Sequence, residues 1–182
     1  MDLSFGPEYE DFRAELRSFI EKNKHKAPPP GMGMHHPGPQ EQDWQKLLIE
    51  HGYTCRTIPK KYGGYGGEAD ILKTVIIQDE FAKANVNSGL SGQGIGMLVP
   101  TLLERGTDKQ KEQYIRPTIW GEIYWCQGYS EPGAGSDLAS LRTNARVEDG
   151  HFIINGQKIW TSSAHFSDMC FILVRTEPDK PK

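Results

Sequence analysis

The chain has 182 residues, with 21 Lys and Arg against 24 Asp and Glu and a formal net charge of -3. This is long enough for one ordinary domain or two small ones, and the slightly acidic balance without a basic tract argues against a nucleic-acid partner. Three scattered cysteines without a CxxC pair indicate neither a disulfide framework nor a zinc site, and the N-terminus shows no leader-like basic and apolar regions; apolar runs are short, so a soluble, cytoplasmic protein with no membrane partner is expected.

In chain order, Tyr9, Phe12, Leu16, Phe19 and Ile20 fall at helical spacing, which predicts an amphipathic helix over 8–24. The Pro- and Gly-rich stretch 27–40 ends it. His35 and His36, with Met32 and Met34, invite a copper-binding reading there, but adjacent residues seldom chelate without further ligands, and a solvated loop is the simpler assignment. A second helix is predicted over 41–51, with Trp44, Leu47 and Leu48 inward and Gly52 as its stop. The glycines of IPKKYGGYGG (58–67) lack both a preceding strand and a closing GK[ST], so a plain turn segment is expected rather than a phosphate loop.

Ile71, Leu72, Val75, Ile76 and Phe81 mark a third helix over 68–85, whose two-sided apolar content predicts burial on both faces. SGLSGQGIG (88–96) follows a helix and not a strand, which excludes a dinucleotide fingerprint and leaves closely packed helices as the reason for its glycines. Leu98, Val99, Leu102 and Leu103 predict a fourth helix stopped at Gly106. Thr107 to Gln110 forms a capping box opening a fifth, with Tyr114 and Ile115 inward.

After Gly121 the pattern changes to short strands: 123–126, 142–148, 151–154, 157–161 and 169–174, with Asp149-Gly150 and Asn155-Gly156 as hairpin turns. The expected fold class is therefore α+β, a helical bundle over 1–121 followed by an antiparallel β domain over 122–182. A small sheet with open edges is normally closed or covered, which predicts that the β domain is incomplete and the chain part of something longer.

Two stretches carry the chemistry. In CQGYSEPGAGSD (126–137), Pro132, Gly133 and Gly135 force a tight, bare turn, and Ser130 and Ser136 place hydroxyls on either side of it, a setting suited to phosphate oxygens. In KIWTSSA (158–164), Trp160 offers a flat π face, followed by the hydroxyls of Thr161 and Ser162; a planar ring with polar edges fits there.

These stretches, in this order after a helical segment, resemble the acyl-CoA dehydrogenase family of flavoproteins. SEPGAGSDLASLRT is similar to the family's first signature, and the Asn155 to Ser162 pattern, PKKYGG at 59–64 and ERGTDKQKEQYI at 104–115 are similar to family segments. The resemblance covers nearly the whole chain. It implies a helical N-terminal domain, a middle β domain and a C-terminal four-helix domain, with FAD held between the last two, usually across the interface of a homo- or hetero-oligomer.

By position, it places Gln127, Gly128, Tyr129 and Ser130 along the flavin ring, with Ser130 at the pyrimidine edge. Gly135 and Ser136 meet the pyrophosphate, Ser136 also touches the acyl-CoA substrate, Trp160 lies against the isoalloxazine with Thr161 beside it, and Ser162 sits near the reactive nitrogen. Many relatives have Thr at the positions of Ser130 and Ser162, which keeps the hydroxyl; Gln127 stands where an aromatic is frequent. The implied reaction is FAD-dependent α,β-dehydrogenation of an acyl-CoA, with electrons passed to an electron-transfer flavoprotein. The family's base is a glutamate of the C-terminal domain, so no catalytic residue and no metal ligand is assigned here, and Glu131 is read as a turn residue. Alone, the chain is expected to show little flavin absorbance and no turnover. The alternatives are a non-catalytic acyl-CoA-binding or assembly subunit of a split enzyme, and an acyl-CoA oxidase-type relative that passes electrons to oxygen.

Overall fold

A computed structural model describes residues 6–31 and 35–177. The chain divides into two compact units, Met1–Ile123 and Tyr124–Lys182, the first helical and the second containing the strands. Helices come first and strands second, the α+β class expected from the sequence.

In the first unit, α1 (Pro7–Asn23) starts on a proline, where a missing N–H costs nothing, and has Glu8 and Glu10 in its first turn and Lys22 in its last, which suits the helix dipole. α2 (Pro39–Glu50) begins two residues earlier than predicted because Pro39 takes the first helical position and Glu41 reaches back to accept a hydrogen bond from the Gly38 N–H at 2.6 Å. His35 lies 2.8 Å from the same carboxylate group and so serves that helix start. Met32 and Met34 of the copper-like tract lie outside the described residues, among which no group of three or more His, Cys, Asp or Glu could hold a metal ion. α3 (Ile71–Ala84) is capped by the Asp70 carboxylate, which accepts from the Lys73 N–H at 3.0 Å, and stopped by Asn85 in the left-handed region.

The next helix opens with a π-helical turn, Gly94–Leu98, and continues as α4 (Val99–Arg105). α5 (Asp108–Ile119) starts at the predicted capping box: the Gln110 N–H donates to Thr107 Oγ1 at 3.3 Å, and the Thr107 N–H donates to Gln110 Oε1 at 2.9 Å. The IPKKYGGYGG segment is a turn, as expected. A side chain at Gly64 would strike the Ile58 carbonyl, so the chain there folds too tightly to cradle a phosphate.

One core gathers Leu16, Phe19 and Ile20 of α1, Trp44 and Leu48 of α2, and Ile76 and Phe81 of α3; a second gathers Ile49, Ile58, Tyr62, Val99, Ile115 and Ile119. Adjacent residues Leu48 and Ile49 make α2 the shared wall. The fully buried Gln45 carboxamide joins the connections, donating to the Ile119 carbonyl and accepting from the Leu90 N–H, each at 2.8 Å. α1 and α3 are also joined through Glu80, only 4% exposed, which takes hydrogen bonds from Arg13 and from Arg17 Nε at 2.6 Å. The expectation that α3 is buried on both faces is corrected: Ile76, Ile77 and Phe81 face the core, but Ile71 is 81% exposed and Leu72 and Val75 are exposed with it.

In the second unit, β2 (Asn144–Glu148) and β3 (His151–Asn155) form the predicted antiparallel hairpin, with Asp149 (φ 50) and Gly150 (φ 77) in the left-handed conformations a tight hairpin turn requires. The other pairing departs from the antiparallel meander: β1 (Trp125–Gly128) and β4 (Met169–Ile172) run parallel, with Cys126 opposite Cys170. A parallel pair needs a long crossover, and the whole segment between them, hairpin included, supplies it. The strand predicted over 157–161 does not form. Its backbone is diverted to the signature turn, and Trp160 adopts φ 56, which ends extended structure. Among the described residues no helix is long and apolar enough to cross a membrane.

Candidate functional site

The signature turn is closed by its own backbone: Glu131 N–H donates to the Ala134 carbonyl at 2.9 Å and Ala134 N–H to the Glu131 carbonyl at 3.1 Å. The Glu131 side chain is buried. It accepts from the Arg142 N–H at 2.6 Å, from the Thr143 N–H at 2.9 Å and from Lys158 Nζ at 2.8 Å. Burial raises its carboxyl, but the Lys158 ammonium and the donors of Thr143 and Arg142 outweigh it and hold the group down at about 2. Glu131 is thus a clasp that stays ionised well below the usual carboxylate range, and its place in the turn goes further than the turn role expected of it.

The clasp explains where strands do and do not form. β2 begins only at Asn144 because the N–H groups of Arg142 and Thr143 are given to the carboxylate. Lys158, nearly buried, also donates to the Tyr129 carbonyl at 3.0 Å, and the Ile159 N–H donates to the Ser130 carbonyl at 2.9 Å. The two stretches singled out in the sequence therefore lie side by side, with 129–131 tied to 158–159.

Each expected site residue can be placed. Gln127 and Gly128 end β1, Gly128 packing against Ile172 and Cys170; Tyr129 sets its ring edge-on to Phe171, centroids 5.7 Å apart. Ser130 is half-buried at the start of the turn, and Gly135 and Ser136 are exposed on its far side. Thr161 is half-buried and Ser162 exposed, its N–H donating to the Trp160 carbonyl at 2.9 Å. Trp160 itself is 84% exposed, so it is no core aromatic: the largest apolar side chain of the segment stands in the open on a backbone pinned one residue earlier.

The geometry suits a bulky, flat, anionic group. No hydrogen bond holds the hydroxyls of Ser130, Ser136, Thr161 and Ser162 among the described residues, which leaves them available as donors. Nothing lies within 4 Å of where a side chain at Gly135 would stand, so its backbone is open to phosphate oxygens. By contrast, a cavity of about 650 Å³ in the helical unit, lined by Tyr53, Arg56, Ile71, Val75, Val99 and Leu103 among others, includes none of the expected site residues.

Residue-by-residue reading missed the supports of the site. Lys158 was visible two positions before Trp160, but nothing in its spacing said which carboxylate it would meet. Arg175, whose guanidinium donates to the Leu141 and Ala139 carbonyls at 3.0 Å each, gave no signal in the sequence.

Comparison with known proteins agrees with this picture. A model of the acyl-CoA dehydrogenase N-terminal domain matches residues 6–122 and one of the acyl-CoA dehydrogenase middle domain matches 126–182. The acyl-CoA dehydrogenase IpdE1 of Mycobacterium tuberculosis is 37% identical over 174 residues, which cover 92% of this chain and 45% of that protein. Among solved structures, the Tcur3481-Tcur3483 steroid ACAD superposes with a TM-score of 0.71 at 32% identity over 100% of this chain and 46% of the other. The ChsE4-ChsE5 complex from Mycobacterium tuberculosis does so with a TM-score of 0.69 at 32% identity, over 98% of this chain and 45% of the other. The chain thus spans about half the length of the relatives it matches. By its two matched domains, its identity to curated relatives and its fold, the chain belongs to the acyl-CoA dehydrogenase family.

Proposed function

We propose that this chain contributes one wall of a FAD and acyl-CoA site in an enzyme that dehydrogenates an acyl-CoA thioester between its α and β carbons. The observation that carries the reading is the Glu131–Lys158 clasp, which fixes the turn bearing Ser130, Gly135 and Ser136 beside the open Trp160, Thr161 and Ser162. Gln127, Gly128, Tyr129 and Ser130 border the ring system, with the Ser130 hydroxyl as donor to its polar edge. Gly135 and Ser136 receive the pyrophosphate, Ser136 also reaching the substrate's CoA portion. Trp160 covers an aromatic face and excludes water from it, and Ser162 donates at the ring's opposite edge. FAD, when bound, accepts the hydride from the β carbon.

The α proton needs a carboxylate base. Glu131 does not serve: it is held by three donors and ionised down to about pH 2. The base is assigned to the part of the fold that this chain does not match. The likeness to a solved steroid ACAD makes an acyl-CoA carrying a steroid-like ring system the first substrate to test, and the ChsE4-ChsE5 complex supports assembly as a hetero-oligomer. Electron-transfer flavoprotein is the proposed acceptor. In the presence of the complementary half of the fold from a relative, the chain should support anaerobic bleaching of FAD by acyl-CoA. Peroxide release in air at a rate matching turnover would favour an oxidase instead, and bound acyl-CoA that never bleaches the flavin would favour a non-catalytic subunit.

A further inference from the structure

We propose that Cys126 and Cys170 form a redox-sensitive dithiol that a low-molecular-weight disulfide converts into an intramolecular disulfide stapling β1 to β4. The register of the parallel pair sets these two residues directly opposite one another on adjacent strands. Residues so placed share a face, and neighbouring strands run about 4.8 Å apart, inside the roughly 4.4–6.8 Å between α carbons that a disulfide spans. The neighbours leave room. Gly128, the next residue on that face of β1, has no side chain, and the Cys170 sulfur turns in over it, 3.3 Å from where a Cβ would stand.

The two thiols differ in access. Cys126 is buried and Cys170 exposed, so an attacking reagent meets Cys170 first and Cys126 resolves the product. In balanced form, the Cys170 thiolate attacks one sulfur of the reagent disulfide and expels a thiolate; the Cys126 thiolate then attacks the Cys170 sulfur and expels the second. The protein loses two protons and two electrons and gains one S–S bond, while the reagent's S–S bond is broken and reduced to two thiols. Although the residue as a whole is exposed, its sulfur is turned in over Gly128; that partial desolvation, and then the neighbouring Cys126, push the Cys170 thiol up to about 11, so the pair rests as two thiols and exchange is slow. The third cysteine, Cys55, is on a different unit and takes no part.

The consequence concerns the site. A bond between residues 126 and 170 closes a loop that contains every candidate residue from Gln127 to Ser162, including the Glu131 clasp, and a closed loop resists local opening. The sequence did not suggest this pair, because its members are far apart in the chain and come together only through the parallel pairing.

The test incubates the full-length protein with excess oxidised glutathione to equilibrium, blocks free thiols and maps disulfides by mass spectrometry. The expected result is a peptide linking Cys126 to Cys170, lighter by two hydrogens, in wild type and in Cys55→Ser, reversed by dithiothreitol. Hydrogen exchange across 127–162 should slow by at least about tenfold in the oxidised form. Cys126→Ser and Cys170→Ser should each abolish the internal link. Two free thiols at equilibrium, a stable glutathione adduct on Cys170 without a link, or a link through Cys55 or to a second chain would overturn the proposal.

Discussion

Glu131 is the residue on which the local architecture turns. Its carboxylate neutralises Lys158 and caps two backbone N–H groups, so removing one partner strands a buried charge. Lys158→Met should lower stability by about 3 kcal/mol in denaturant titration followed in the β unit. The carboxyl is held at about 2 against an ordinary value of 4.5, so its contribution is fully present above pH 4.5 and is lost as pH falls toward 2. Glu131→Gln should flatten that acid-side loss in a stability profile taken between pH 5 and about 2, whereas an unchanged profile would show that the clasp does not form. Trp160 poses the opposite case. Being 84% exposed it adds little to the fold, so Trp160→Ala should leave the melting temperature within experimental scatter yet weaken FAD binding about tenfold or more.

Among the elements, α1 and α3 are joined by charge as well as by core packing. Arg13 bridges to Asp79 at 2.9 Å and to Glu80, while Arg17 forms a second fork on Glu80; the Lys83 ammonium and then Arg13 hold the Asp79 carboxyl below its usual range, and Arg17 and Arg13 do the same for Glu80. Glu80→Ala leaves Arg13 half-paired at an almost buried position and should cost about 3 kcal/mol in the unfolding of the helical unit. The outer face of α3 behaves differently. Ile71→Ser should change stability by less than about 0.5 kcal/mol, since Ile71 is 81% exposed.

The same elements mark what was legible in the sequence. Helix starts at Asp70 and Thr107 and the Asp149-Gly150 hairpin were readable because each rests on local chemistry: a cap, a capping box, a turn with positive φ. The lost strand at 157–161 and the parallel pairing of β1 with β4 were not, because both depend on partners distant in sequence, Ser130 and Glu131 for the first and the full crossover for the second. Period-two patterning predicts that a strand is extended, not which neighbour it takes or in which direction. The exposed outer face of α3 was misread for a related reason: apolar content reports that a face is to be covered, not that this part of the chain covers it.

At the scale of the molecule, the chain carries two matched domains and about half the length of its relatives, and it brings the two family stretches side by side. Residues 127–136 and 160–162 are proposed to form a flavin wall together. The direct measurement is a titration of FAD against the chain in complex with the C-terminal half of a relative such as IpdE1, for wild type, Ser130→Ala and Trp160→Ala. Saturable binding is expected for wild type, weakened about tenfold or more by Trp160→Ala and less by Ser130→Ala, with the complex itself intact in all three. FAD bound equally well by all three complexes would contradict it.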